Sequence, residues 1–405
     1  MKRLLVINQH ASNHGDEAAG KAFLREIFKK EKKFKIGILY NSKTNHASDL
    51  LNVENLVDHH KYDDLSLEDK FLMALTFIMP FFIVRHLYIF GKTIKNEFTL
   101  LNANDKIINA PGGVNIGIYK DWRYLWRLYV SIKLKKETAI YSISFGPLPK
   151  NIIFASASKE VLKNVTFLSL RDSKSQKYAD DLGIDYIKAI DAAFLNNQPE
   201  EELPSCLTDL PKSDFVVIVP NELFRWHVNY QHIPESRFNN LYVSIIDYFI
   251  DRGLDVVLLP QMFGSENDIS YFKFLKNEIK GDHSKVTIVS EKYSSDIQQQ
   301  IIKHSKFMVG ARYHSVIFSV NNRVSFISLA YENKMTNTLE LLGLLNSNLT
   351  INNLLQEGNA NVLKMVDDKF KQSNCERESL VLANELAQKT AQDTFVNFYN
   401  NFLSR

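Results

Sequence analysis

The feature that most limits the fold is a rhythm that runs along the chain twice. Short apolar runs alternate with stretches of helical periodicity. In the first half the runs are Leu4–Ile7, Lys35–Leu39, Lys106–Asn109, Ala139–Ser142, Thr166–Leu170 and a short one near Tyr186–Ala189. Helical patterns such as Glu17–Lys30 and Ser173–Leu182 lie between them. Alternation of this kind predicts parallel strands joined by covering helices. At Asn196–Asp214, "NNQPEEELPSCLTDLPKSD", the rhythm stops in a stretch of Pro, Ser and acids that reads as a linker. It then restarts with strands predicted at Phe215–Val219, Asp255–Leu259, Lys285–Val289, Lys306–Ala311 and Val324–Ala330. Helices are predicted at Phe238–Arg252, Ile269–Lys280, Ser295–Lys303 and Ser315–Val320, and a last one in Cys375–Phe402.

The expected architecture is α/β: two doubly wound Rossmann-like domains facing a cleft. Residues 1–197 would form the first domain, with an apolar insertion at about 58–104. Residues 214–345 would form the second, and a helical segment, 346–405, would pack back on the first. Such sheets place ligands at the carboxyl ends of their strands. A chain of 405 residues is long enough for two or three domains.

Composition removes some function classes. A net charge of +3, with no dense Lys/Arg stripe between aromatics, argues against a nucleic-acid partner. Two cysteines, Cys206 and Cys375, without CxxC spacing fit a reducing compartment rather than a disulfide framework or structural zinc. HExxH is absent and the His59-His60 pair lacks ligand spacing, so no metal is expected. The start MKRLLVINQH does not read as a signal peptide, and the expected location is the cytoplasm. Phe71–Val84 is almost wholly apolar, is broken by Pro80, and lies between Lys70 and Arg85. A spanning helix needs about 20 apolar residues. Two readings stand: a buried helix or flap, or an apolar surface that rests on the inner face of the membrane or grips a lipid-linked substrate.

Five stretches carry candidate chemistry. "KFMVGARYHSVIFSV" reads as strand, tight turn and helix, with Arg312, His314 and Ser315 at the helix start. A helix N-terminus with an Arg suits a phosphate or carboxylate, and a histidine there can move a proton near neutral pH. Lys334 follows the next predicted strand and would reach the same place. In "VTFLSLRDSKSQKYADDLG", Arg171 leaves a strand end, and Asp172 or Ser173 caps the helix that follows. In "INQHASNHGDEAAG", Asn13 and Asp16 lie in a βα turn, with Asp16 and Glu17 placed to cap and charge the next helix. It is neither GxGxxG nor a P-loop. "NAPGGVNIG" lets backbone approach a ligand at its paired glycines, Gly112 and Gly113, and brings Asn115 with it. In "VPNELFRWHVNY", Asn221, Trp226 and His227 follow a strand and suit a sugar. Each stretch also has a bland reading: surface charges, a helix cap, an ion pair, a turn or core packing.

Taken together, NHGDEA, PGG, SLRDSKS, the "PN…W" after the linker and GARYHSVIFSV…VSFISLAYENK resemble the polysaccharide pyruvyl transferase family, in that family's order, from about Asn13 to Lys334. The resemblance implies a fold like the GT-B glycosyltransferases. It also implies transfer of a pyruvyl group from phosphoenolpyruvate to two hydroxyls of one sugar, giving a cyclic ketal in bacterial exopolysaccharide biosynthesis. Arg171, Arg312 and Lys334 would hold the donor's phosphate and carboxylate, with Ser315 beside them, and His314 would be the acid. Asn13, Asp16, Asn115, Asn221, Trp226 and His227 are acceptor-side candidates. No cofactor is implied beyond the donor substrate. The acceptor is a sugar, an oligosaccharide or a lipid-linked saccharide. The alternative is a GT-B glycosyltransferase with a nucleotide-sugar donor, left open by Glu340 near a helix.

Overall fold

A computed structural model describes residues 3–10, 12–31, 34–41, 57–60, 63–113, 116–117, 119–195, 210–211, 213–263, 267–291, 293–373 and 375–405, with residues 57–60 as backbone. Most of the linker stretch and Asn115 lie outside the described residues. The chain divides into two compact units. The first comprises residues 1–12, 16–197 and 389–405; the second comprises 13–15 and 198–388.

The first unit is built on β1 (Arg3–Gln9), α1 (His14–Lys30), β2 (Lys35–Tyr40) and β3 (Val57–His60). There follow α2 (Leu67–Thr76), α3 (Phe81–Leu87), α4 (Thr93–Ala103), β4 (Lys106–Asn109) and α5 (Trp122–Lys133). The last elements are β5 (Glu137–Ile143), α6 (Ile152–Asn164), β6 (Phe167–Leu170), α7 (Ser173–Asp181) and β7 (Ile187–Lys188). The seven strands form one sheet in the order β3-β2-β1-β4-β5-β6-β7, with every pair parallel. Leu4–Ile7 and Ile107–Ile108 are fully buried, as strands covered on both faces must be.

Residues 63–104 pack into this core. Leu72, Val84, Tyr88, Ile94 and Leu101 join the same apolar cluster as Leu5, Ile107 and Ile140. Each such side chain contributes roughly 1.5–3 kcal/mol on burial. The end of the chain belongs here too: the Phe398 ring packs tilted against Phe23 and edge-on to Tyr141 and Phe167, and Lys106 Nζ donates to Phe402 O at 2.7 Å.

The second unit repeats the plan. Its elements are β8 (Phe215–Val219), α8 (Leu223–Trp226), α9 (Glu235–Asp251), β9 (Asp255–Leu258), α10 (Asp268–Glu278) and β10 (Val286–Ile288). They continue with α11 (Ser295–Lys303), β11 (Phe307–Gly310), α12 (Tyr313–Asn322), β12 (Phe326–Ala330), α13 (Asn333–Leu341) and β13 (Asn348–Thr350). α14 (Ile351–Gln356), α15 (Asn359–Gln372) and the first part of α16 (Arg377–Phe398) complete it. The sheet order is β10-β9-β8-β11-β12-β13, again all parallel. In each unit the order reverses beside the first strand, between β1 and β4 and between β8 and β11. Those are the switch points where doubly wound sheets bind ligands.

Candidate functional site

In the second unit the switch point is tied shut by one side chain. Asn221, just past β8, donates from Nδ2 to Ala311 O, just past β11, at 3.0 Å. Its Oδ1 accepts from Trp226 Nε1 at 3.1 Å. The carboxamide therefore fixes the two strand ends and the indole together. On the β11 side the turn is tight. Ser315 is fully buried, and its hydroxyl donates to Arg312 O at 2.6 Å, closing the first turn of α12. Gly310 is required here, because a Cβ would collide with the Ser315 hydroxyl.

Arg312 precedes α12 in extended backbone. Its Nη2 pairs with Asp268. Asp268 also accepts from the backbone of Gln261 and Met262, each at 2.9 Å. The acid thus orders the loop after β9 and fixes the guanidinium at once. Arg312 Nε is buried and makes no hydrogen bond among the described residues. That orphaned donor lies next to a paired Nη2, which is the layout for receiving an anionic oxygen.

Lys334, in the first turn of α13, sits 2.9 Å from Glu332 and near the faces of Tyr313 and Tyr331. Glu332 takes a second partner, His227 Nε2, at 3.2 Å. His227 Nδ1 accepts from Asn229 N, so its proton sits on Nε2 and points at the carboxylate. Burial opposes the charge on Glu332, but Lys334 and His227 outweigh it and hold the carboxyl at about 2. A carboxyl lowered on folding stabilises fully above its ordinary value of 4.5, and that contribution is lost as pH falls from there toward 2. Glu332→Gln is expected to flatten the acid limb of the second unit's thermal midpoint between those values. Parallel limbs for the wild type and the variant would show that the pairing contributes nothing.

His314 is buried in the first turn of α12, its ring edge-on to Tyr313. Asn13–Gly15 group with this unit. Asn13 bridges Met262, and His14 N donates to Gln261 O at 3.1 Å. Gly15 lies against the His314 imidazole so closely that any Cβ there would collide with the ring. The glycine of NHGDEA is therefore a packing partner of the histidine. The start of α1 also corrects the expected cap. Gly15 N donates to Asn13 Oδ1 at 2.9 Å, so Asn13 is the cap, while Asp16 and Glu17 lie inside the first turn.

In the first unit, Arg171 follows β6 and is buried. Its Nε donates to Ser144 Oγ at 3.0 Å, and its Nη1 pairs with Asp191. Asp172 caps α7 through Ser175 N at 2.8 Å, as the sequence suggests. Asp16 is buried, and a Cβ added at Gly112 of PGG would stand 3.5 Å from its carboxylate. At the β1/β4 switch point Asn8 has a positive φ of 63° and donates to Asn109 Oδ1 at 2.9 Å. Asn109 in turn donates to Tyr124 Oη at 2.5 Å.

Sequence reasoning missed the counter-acids. Each candidate cation comes with one: Asp191 for Arg171, Asp268 for Arg312, Glu332 for Lys334. A cation taken out of water without such a partner is costly. The weak signals were an acid inside an apolar stretch, as at Asp191, and a helix-start acid at Asp268. Among the described residues no three His, Cys, Asp or Glu side chains come together as a metal site.

Two parallel Rossmann-like units in one chain define the class: a GT-B-like α/β protein. Solved structures agree on the fold. The S. aureus MnaA–UDP co-structure superposes with a TM-score of 0.62 at 10% identity, covering 100% of this chain and 97% of that one. A Methanocaldococcus jannaschii UDP-GlcNAc 2-epimerase in complex with UDP-GlcNAc and UDP gives 0.58 at 12% identity, covering 91% and 93%. Within that class the sequence is specific. The pattern of the polysaccharide pyruvyl transferase family matches residues 13–333, and the chain belongs to that family. It is also 24% identical over 369 residues to the amylovoran biosynthesis protein AmsJ of Erwinia amylovora, covering 85% of this chain and 86% of that protein.

Proposed function

We propose that this transferase moves the pyruvyl group of phosphoenolpyruvate onto two hydroxyls of a sugar in exopolysaccharide assembly, closing a cyclic ketal. The observation that carries the reading is the β11–α12 turn of a family member. Arg312, with an unpaired buried Nε, and His314, one residue into the helix, stand there together. Phosphoenolpyruvate brings a phosphate and a carboxylate. Arg312 and Lys334 supply charge for them, the start of α12 supplies partial positive charge, and Asp268 and Glu332 hold the two cations in place. Arg171 is proposed as the first unit's donor residue, on the family pattern.

His314 delivers a proton to the methylene carbon, and positive charge develops at C2. One sugar hydroxyl adds there, and the C2–O bond to phosphate breaks. The second hydroxyl then closes the ring at C2. Of the two hydroxyl protons released, one replaces the proton given to the methyl group and the other leaves with phosphate. The cations stabilise the departing phosphate. Asp16, Asn13, Trp226 and His227 are proposed on the acceptor side.

Phosphoenolpyruvate is expected to raise the thermal midpoint, and Arg312→Ala to weaken its binding roughly 10- to 100-fold with the fold intact. Stabilisation by UDP-sugars with no response to phosphoenolpyruvate would establish the nucleotide-sugar alternative instead.

A further inference from the structure

Helices α2 and α3 carry a face that the reaction does not use. Pro80 breaks the apolar run, so that α2 ends at Thr76, α3 starts at Phe81, and a 3₁₀ turn, Tyr88–Phe90, follows. The inner side is fixed firmly. Leu72, Val84 and Tyr88 are buried in the first unit's core. The Thr76 hydroxyl meets Tyr88 Oη at 2.8 Å and accepts from Trp126 Nε1 at 3.0 Å. Asp69 closes a capping box on α2 and accepts from Ile94 N at 3.1 Å at the start of α4. Gly91 permits that approach, since a Cβ there would stand 2.6 Å from the Asp69 carboxylate.

The outer side is apolar by design rather than by loose packing. Leu67 and Phe71 fall at i and i+4 on one face of α2, and Ile78 is exposed in the turn that follows it. Phe82, Ile89 and Phe90 continue the exposed apolar surface along the next elements. Phe71 is 63% exposed, Ile78 67%, Phe82 66% and Phe90 72%. Single exposed hydrophobics are ordinary, but a run of them on consecutive elements marks a contact surface. Its charge is one-sided. Lys70, Arg85, Lys92 and Lys95 are exposed and form no ion pair among the described residues. Between Leu67 and Lys95 the exposed acid is Glu68, since Asp69 is buried.

We infer that this hairpin seats the protein on an anionic phospholipid bilayer, with the apolar stripe at the headgroup–acyl boundary and the cations on lipid phosphates. Among the described residues no helix is long and apolar enough to cross a membrane, so the contact is interfacial. Charge selects lipid over a second copy of the chain. Two copies face to face would set cation against cation, whereas an anionic surface attracts each of them.

The test reads binding rather than turnover, so it stands or falls apart from the donor reading. The full chain is sedimented with phosphatidylcholine vesicles, with and without phosphatidylglycerol. Binding is expected with the anionic vesicles and should weaken as salt rises. Phe71→Ser with Phe82→Ser should lower it at least about tenfold at an unchanged thermal midpoint. Lys70→Glu with Arg85→Glu should lower it by roughly fivefold or more per cation removed. Absence of binding by the wild type, equal binding to neutral vesicles, or equal binding by the Phe variant would each overturn the inference. So would a wild-type dimer that ignores vesicles and is split by the Phe substitutions.

Discussion

Replacing His314 by glutamine is expected to leave the chain folded and lower turnover by about 10²–10⁴-fold, the usual worth of a positioned acid. The side chain is placed by more than its own helix. The Ser315 hydroxyl closes the turn, Gly310 makes room for it, and Gly15 gives the imidazole a flat surface with no side chain to displace it. Glutamine is of similar size and can hydrogen-bond, but an amide delivers no proton. Donor binding, which we assign to Arg312 and Lys334, should fall far less than turnover. Wild-type turnover in His314→Gln would mean that the proton comes from elsewhere and that the histidine only packs the turn.

The second large effect concerns stability. Glu97, on α4, is buried between two arginines of α5. Its Oε1 accepts from Arg123 Nη2 and Arg127 Nη2, each at 2.5 Å, and its Oε2 accepts from Arg127 Nε at 2.9 Å. Burial would raise its pKa, yet Arg127 and Arg123 outweigh it, and the carboxyl is held below its ordinary value. The arginines reach further: Arg127 Nη1 donates to Asn8 Oδ1 and Tyr40 O, each at 3.0 Å, and Arg123 Nη1 to Asp63 O at 2.8 Å. One carboxylate therefore tethers the ends of β1 and β2 to α4 and α5. Glu97→Gln keeps the shape and takes the shared carboxylate away from two buried guanidinium groups. The first unit's urea transition should lose about 3–5 kcal/mol. Because two units need not unfold together, the readout is a probe within the first unit, such as Trp126 fluorescence. A loss under about 1 kcal/mol would show that the charges are solvated and not buried.

The sequence determined what depends on neighbours along the chain. Interior strands such as Phe215–Val219 and Leu4–Ile7 stand out because both faces are covered and every position is apolar. Of the four edge strands, β7 and β10 were legible, whereas β3 and β13 gave no such signal. "VDHH" and "NLT" pair through backbone on one side only, and backbone pairing leaves little trace in side-chain type. The Arg–Tyr–His turn and the caps Asp121, Asp172 and Ser294 are likewise local, because a helix start is satisfied within one turn. The tertiary structure decided the partners. Asp268 is 44 residues from Arg312 and His227 is 105 from Glu332, separations over which periodicity carries no information. It also decided that Gly15 is shaped by His314, and that one face of the Phe71–Val84 hairpin is core while the other stays exposed. Buried charge has to be neutralised by whichever group the fold brings within reach, and that distance is fixed only once the sheets and helices have packed.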